Sequence, residues 1–277
     1  MIMDKHASGQ GWMPGIRTDM AGTGEAARHI VSLPRHLAGI LGDLGRRADA
    51  VWHHAFAAQP LPPEWLVVGS AALALAVVAS ARVWPMARTV VTIVHEGGHA
   101  MVALATGQRR VRVRLYRDTA GETVSVGGAD GLGVALTAAA GYPAPSLTGL
   151  GAAALLAVGH LTGMLALGLV LLAGLAIAIR NPYGMLAVLA TAATVAAVCL
   201  YGSAVIQAGF GYSMTWFLLF GGVRPVMELH RERRRRRGRS DADQLARLTP
   251  MPGGAWVTIF GVFALGALAV SATWLVR

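Results

Sequence analysis

The chain has 277 residues, of which 55% are hydrophobic and only 14% charged. With a mean hydropathy of +0.53, that composition excludes an ordinary soluble domain and points to a polytopic membrane protein. The formal net charge is +10, but the basic residues fall mostly in loops between apolar segments. That is the positive-inside signal of a membrane protein, so no nucleic-acid partner is expected. The single cysteine, Cys199, lies in an apolar run, which excludes a disulfide framework and a thiolate metal site.

Residues 1–63 are polar, Gly-rich and of mixed charge. Within about 25–57, Ile30, Leu33, Leu37, Ile40, Leu41 and Leu44 recur at helical spacing, so this stretch is either an amphipathic helix on the membrane surface or an unstructured tail. No sustained apolar stretch precedes residue 64, so the first span is expected to act as the insertion signal. Residues 64–277 read as one membrane domain. Apolar spans are expected at about 65–81, 86–106, 132–158, 161–179, 183–201, 204–223 and 255–276, each near the ~20 residues a bilayer needs. The fold class expected is therefore an all-α polytopic membrane protein of about seven transmembrane helices, with one small β-hairpin. The hairpin is predicted at 109–127, where Val111, Val113 and Leu115 alternate with arginines and Asp118-Thr119-Ala120-Gly121 supplies the turn. The third span is interrupted by Gly141-Tyr142-Pro143-Ala144-Pro145, whose prolines break a helix at membrane depth.

The loops at 107–131 and 224–254 carry five and nine arginines, and with seven spans both lie on the side of the N-terminus. All three are expected in the cytoplasm of a multi-pass protein of the cell membrane. The basic stretch Arg231–Arg239 reads as a topology determinant, with anionic lipid headgroups as the functional alternative. His53, His54 and His160 read as interfacial, and His29 and His36 as solvent-facing.

His95-Glu96-Gly97-Gly98-His99, inside the second span, carries the chemistry. On a helix, positions i and i+4 share a face, so both imidazoles can grip one zinc ion. Glu96, directly after the first histidine, is then placed to take a proton from a zinc-bound water. It is also the only acidic residue in any expected span, and an ionisable group at that depth is costly and usually functional. Gly97 and Gly98 permit close approach of another backbone, with simple helix packing as the alternative. Catalytic zinc usually takes three protein ligands. The spans hold no other acid, so the third ligand is sought at Asp241 or Asp243. Ser240 and Asp243 also have capping-box spacing, so either aspartate is alternatively a helix cap.

With these residues the chain resembles the site-2 protease class of intramembrane zinc metalloproteases, particularly the compact bacterial members without a PDZ domain. The HExxH motif sits in a span, a hairpin follows it, and Ala140-Gly141-Tyr142-Pro143-Ala144-Pro145-Ser146 looks like a variant of the family's Gly-Pro-x-x-Asn segment beside the active site. The resemblance covers roughly residues 86–150. It implies zinc held by His95 and His99, Glu96 as general base, substrate contacts at Gly141, Tyr142, Pro143 and Ser146, and a transmembrane protein or peptide as substrate. Tyr142 and Trp216 are further candidates to line a substrate groove, with interfacial anchoring or packing as the default reading. The chain departs from the family in two places. Asn181-Pro182 is present but no aspartate follows in 183–200, and Ser146 stands where the family has asparagine. The third ligand is thus displaced to Asp241 or Asp243, or absent. Two other readings stand beside the protease: a non-catalytic membrane scaffold of the same fold, and a small-molecule or metal transporter, which would also use broken helices.

Overall fold

A computed structural model describes residues 35–55, 57–127, 131–233 and 240–276. The chain divides into two units, Met1–Arg46 and Arg47–Arg277. Of the first, only residues 35–46 are described. They belong to helix α1 (Arg35–Ala55), on which Leu37, Ile40 and Leu41 are exposed. The rest of the expected N-terminal amphipathic segment lies outside the described residues.

In the second unit, helix α2 (Glu64–Ala79) starts after Pro63, with Glu64 in its first turn, where an acid complements the helix dipole. Helix α3 (Trp84–Ala105) follows, with Pro85 in its first turn, where a missing N–H costs nothing. The two are bent by 103°. Along α3 a stripe at helical spacing, Thr92, Glu96, His99 and Ala103, is buried, and Gly107, at φ 79°, turns the chain out of the helix.

Strands β1 (Arg109–Leu115) and β2 (Gly121–Val126) form an antiparallel hairpin with Arg112 opposite Val124 and Arg114 opposite Glu122. Val111, Val113 and Leu115 point inward. They pack with Ile93, Ala100 and Ala103 of α3 and with Leu175, Ile179 and Val188, while Arg112 and Arg114 stay exposed. The outer edge of β1 is closed. Arg180 N–H donates to the Val113 carbonyl at 2.9 Å. The Asn181 amide donates to the Leu115 carbonyl at 2.6 Å and accepts from the Leu115 N–H at 3.2 Å. Asn181, which with Pro182 matches the start of a family motif whose aspartate this chain lacks, here stands in for a strand. Among the described residues no strand pairs with the outer edge of β2.

Helices α4 (Gly131–Ala140) and α5 (Pro143–Ala157) meet at Gly141 and Tyr142. The break expected at the prolines is present between Ala140 and Pro143. Pro143 and Pro145 lie in the first turn of α5, where the N–H groups have no intrahelical partner anyway. Helices α6 (Leu161–Ala178) and α7 (Pro182–Tyr201) form an antiparallel pair with few buried residues. Helix α8 (Ala204–Arg233) is the central pillar, packing Tyr212, Trp216, Phe217 and Leu219 against Trp84, Val91, Ala153 and Leu156. It runs ten residues past the expected end at 223, because its exit is held. Glu228 accepts from Trp84 Nε1 and Arg224 Nε, both at 3.0 Å, and Leu229 is buried. Helix α9 (Asp241–Leu248) buries Ala242 and Leu245 against α4, α8 and helix α10 (Gly253–Leu275).

The protein is thus mostly helical and multi-pass; among the described residues four helices (α6, α7, α8 and α10) are long and apolar enough to cross a membrane, or up to five if the bent pair α2–α3 is one span. The α4 and α5 helices are shorter, at 10 and 15 residues. The sequence count of seven divides differently because the first and second expected spans form one sharply bent pair, α2 and α3, and the third is divided into α4 and α5 at Gly141 and Tyr142.

Candidate metal centre

Two glycines let neighbouring elements close on the HExxH face of α3. A Cβ at Gly98 would lie 3.0 Å from the Ala140 carbonyl oxygen and 2.5 Å from Ala144 Cβ, so only glycine admits the α4–α5 junction. Gly97 makes no comparably close contact; its nearest neighbour is Leu175 Cδ2 at 3.9 Å. From the opposite side, a Cβ at Gly121 would lie 2.5 Å from Glu96 Cγ, so glycine there seats β2 on the glutamate. The hairpin turn is tied down by Thr92 Oγ1, which donates to the Thr119 carbonyl at 2.9 Å.

Across this face stands α9. Asp241 Oδ2 lies 3.2 Å from both His95 Nε2 and His99 Nε2, and the two ring nitrogens are 3.1 Å apart. Tetrahedral zinc with bonds near 2.0–2.1 Å holds its ligand atoms roughly 3.3 Å apart, so the triangle has the size of a metal's ligand face. Among the described residues these three form the group able to hold a metal ion. Oδ2 is buried and takes no hydrogen bond from any other described group. A Cβ at Gly141 would lie 2.6 Å from His95 Nε2 and closer still to His99 Nε2, so the space in front of both nitrogens exists because residue 141 has no side chain. The donor set, two imidazoles and one carboxylate, is one that catalytic zinc sites use.

The ligands are braced. His99 is buried, and its Nδ1–H donates to the Thr137 carbonyl of α4 at 2.7 Å, which leaves Nε2 with a free lone pair. His95 meets the Tyr142 ring edge-on at 4.9 Å, and Tyr142 stacks on Phe260 of α10 at 5.3 Å. Burial pushes the Asp241 carboxyl upward, but the His95 and His99 imidazoles, when protonated, outweigh it and hold it below the usual carboxylate range. Glu96 is also buried, and its Oε2 accepts from Thr123 Oγ1 at 2.5 Å. A cavity of about 450 Å³ opens beside these groups, lined by Glu96, His99, Asp241, Thr123, Thr137 and Gln108 among others.

The fold therefore brings together His95, Glu96, His99 and Asp241 and turns Asp243 away. Asp243 closes the capping box, its Oδ2 accepting from Ser240 Oγ at 2.8 Å and its Oδ1 paired with Arg233. Gly141 and Tyr142 touch the histidines and Pro143 begins the next helix, whereas Ser146 is fully buried, its hydroxyl against Gly222 of α8. Trp216 lies in the core, stacked on Phe220. Of the basic stretch Arg231–Arg239, residues 234–239 lie outside the described residues. Sequence reasoning passed over Gly121, Thr123 and Gln108, which the hairpin spacing places beside α3. It had no means of finding the Thr137 carbonyl, since a backbone acceptor leaves no mark in the sequence.

Fold and site together define a multi-pass membrane protein with a His-His-Asp cluster that could hold a metal ion, beside a buried glutamate. The chain belongs to the Peptidase M50B-like family, whose model matches residues 68–271 and so spans the site from His95 to Asp241. That membership bears out the resemblance to site-2 proteases and implies a metallopeptidase acting in the membrane. No curated protein matches the chain, and no solved structure does.

Proposed function

We propose that the protein is a zinc-dependent intramembrane endopeptidase that cuts a membrane-embedded protein or peptide. The observation that carries this reading is the convergence of His95, His99 and Asp241 on the space left by Gly141, with the Glu96 carboxylate on the same cavity wall. When bound, zinc would supply the Lewis acid that makes a water nucleophilic near neutral pH and polarises the scissile carbonyl.

Glu96 is the general base. Thr123 occupies Oε2, which leaves Oε1 to accept the proton of the attacking water and then deliver it to the departing amine. Thr123 also fixes the rotamer, so the base does not have to be oriented during the reaction. A helical substrate hides its carbonyls in internal hydrogen bonds and must be unwound. The open edge of β2 offers main-chain donors and acceptors to an extended segment, and it leads into the cavity that Glu96 lines. Gly141 leaves the space in front of the histidine nitrogens and Tyr142 meets His95 beside it, while Pro143 opens the helix in which Ser146 is buried; these are the substrate contacts the resemblance implies.

We read the apolar helices as seven crossings, with the hairpin and α9 on the cytoplasmic side because the arginines gather there. His99 then lies roughly 10 Å below that surface. A scaffold would have no use for a buried carboxylate facing a cavity beside a metal triangle, and the protease reading accounts for it.

Purified protein is expected to hold about one zinc per chain, lost in His95→Ala/His99→Ala. Glu96→Gln should keep its zinc and lose ~10²–10⁴-fold in cleavage of a membrane-embedded substrate. Wild-type protein free of zinc after purification under metal-retaining conditions would refute the reading.

A further inference from the structure

Gln108 is buried just after the turn that ends α3, and its amide touches three elements at once. Nε2 faces Thr137 Oγ1 of α4 at 2.6 Å and Thr106 Oγ1, directly after α3, at 3.1 Å. Oε1 accepts from Ser125 Oγ of β2. The polarity of these contacts is fixed. The Thr137 hydroxyl gives its proton to the Gly133 carbonyl at 2.9 Å, and the Thr106 hydroxyl gives its own to the Val102 carbonyl at 2.8 Å. Each threonine oxygen therefore has only lone pairs left, and the group between them must bring two hydrogens. A side-chain amide does so while also offering an acceptor to Ser125; a carboxylate would set acceptor against acceptor. The same Thr137 presents the carbonyl that takes the proton of His99 Nδ1.

We propose that Gln108 is a positioning residue for the metal centre, holding Thr137 in register on α3 so that its carbonyl fixes the tautomer and ring angle of His99. The proposal rests on the metal reading above. It adds a member that no HExxH pattern contains, acting on the ligand through one intermediate residue. Groups that orient metal-bound histidines typically matter 10–100-fold in metal affinity, and a group one step further out belongs at the lower end of that range.

The test is zinc affinity of the full-length detergent-purified protein by competition with a chromogenic chelator, together with the visible spectrum of the cobalt(II)-substituted protein. Gln108→Met keeps the volume and removes the polar contacts, Gln108→Glu keeps the shape and removes the donors, and Thr137→Val removes the acceptor. Each is expected to weaken zinc about tenfold and to shift the cobalt bands. Gln108→Met/Thr137→Val should lose no more than the worse single variant, because both break one link. Wild-type affinity and an unchanged cobalt spectrum in Gln108→Met would overturn the proposal, as would losses that multiply in the double variant. If Gln108→Met does not fold, Gln108→Glu with Thr137→Val decides the matter by the same criteria. Wild-type protein that takes up neither metal would instead sink the metal reading itself.

Discussion

Asp241 and Asp243 are two residues apart on the first turn of an eight-residue helix, yet their surroundings assign them opposite work. Side chains two apart on a helix do not share a face. Once Asp243 is committed to the Ser240 cap and to Arg233, Asp241 is turned toward the histidines. The sequence left the two open because either can cap and either can ligate. Asp241→Asn is expected to reduce zinc content to a small fraction of one per chain. Asp243→Asn should keep near-stoichiometric zinc and lower stability by about 1 kcal/mol through a weakened cap. Metal analysis and thermal unfolding of both variants check this, and equal zinc loss in the two would contradict it. The glycines make the same point at this scale. HExxH contains two of them, but only Gly98 is a close contact, and the one that leaves room for a metal is Gly141, in another helix pair.

The element that matters most is the shortest. An isolated helix of eight residues is unstable in water, so α9 stays in place through what it buries. Ala242 and Leu245 are fully buried among Ala138, Val226, Leu229, Val257 and Phe260. Leu245→Ala removes most of that anchor, at about 2–5 kcal/mol by analogy with other core leucines. Much of this cost falls on the docking of α9. Zinc affinity should therefore drop and be recovered as free zinc is raised, since metal binding pulls the docked state back. His95→Ala should show no such recovery over the same range. A titration of both variants separates the two cases. The hairpin was legible from its alternation because period-two patterning reports directly which strand face is buried. The length of α8 was not. Residues 224–233 read as a polar loop, and the contacts of Arg224 with the Val78 carbonyl and of Glu228 with Trp84, together with the burial of Leu229, hold that stretch against other elements as a helix.

At the scale of the molecule, a two-stranded sheet and a short helix both line the cavity beside Glu96. On the proposed reading of seven crossings, the arginines of the hairpin and of the α8–α9 connection lie on one side of the membrane. Reporters fused near residues 120 and 235 are accordingly expected to give cytoplasmic signals; an external signal at either would overturn the orientation and the direction from which water reaches the site.

Composition and periodicity by themselves determined the membrane class, the hairpin, the HExxH helix and the two aspartates between which the third ligand had to be chosen. These properties are written locally, in hydropathy and in the spacing of residues on one element. Tertiary structure alone decided that Asp241 rather than Asp243 meets the histidines, that Gly141 and Gly121 make room for a metal and for Glu96, and that Thr137 and Gln108 stand behind His99. Each depends on the distance between separate elements or on a backbone carbonyl. Such distances are set by packing that no local pattern encodes.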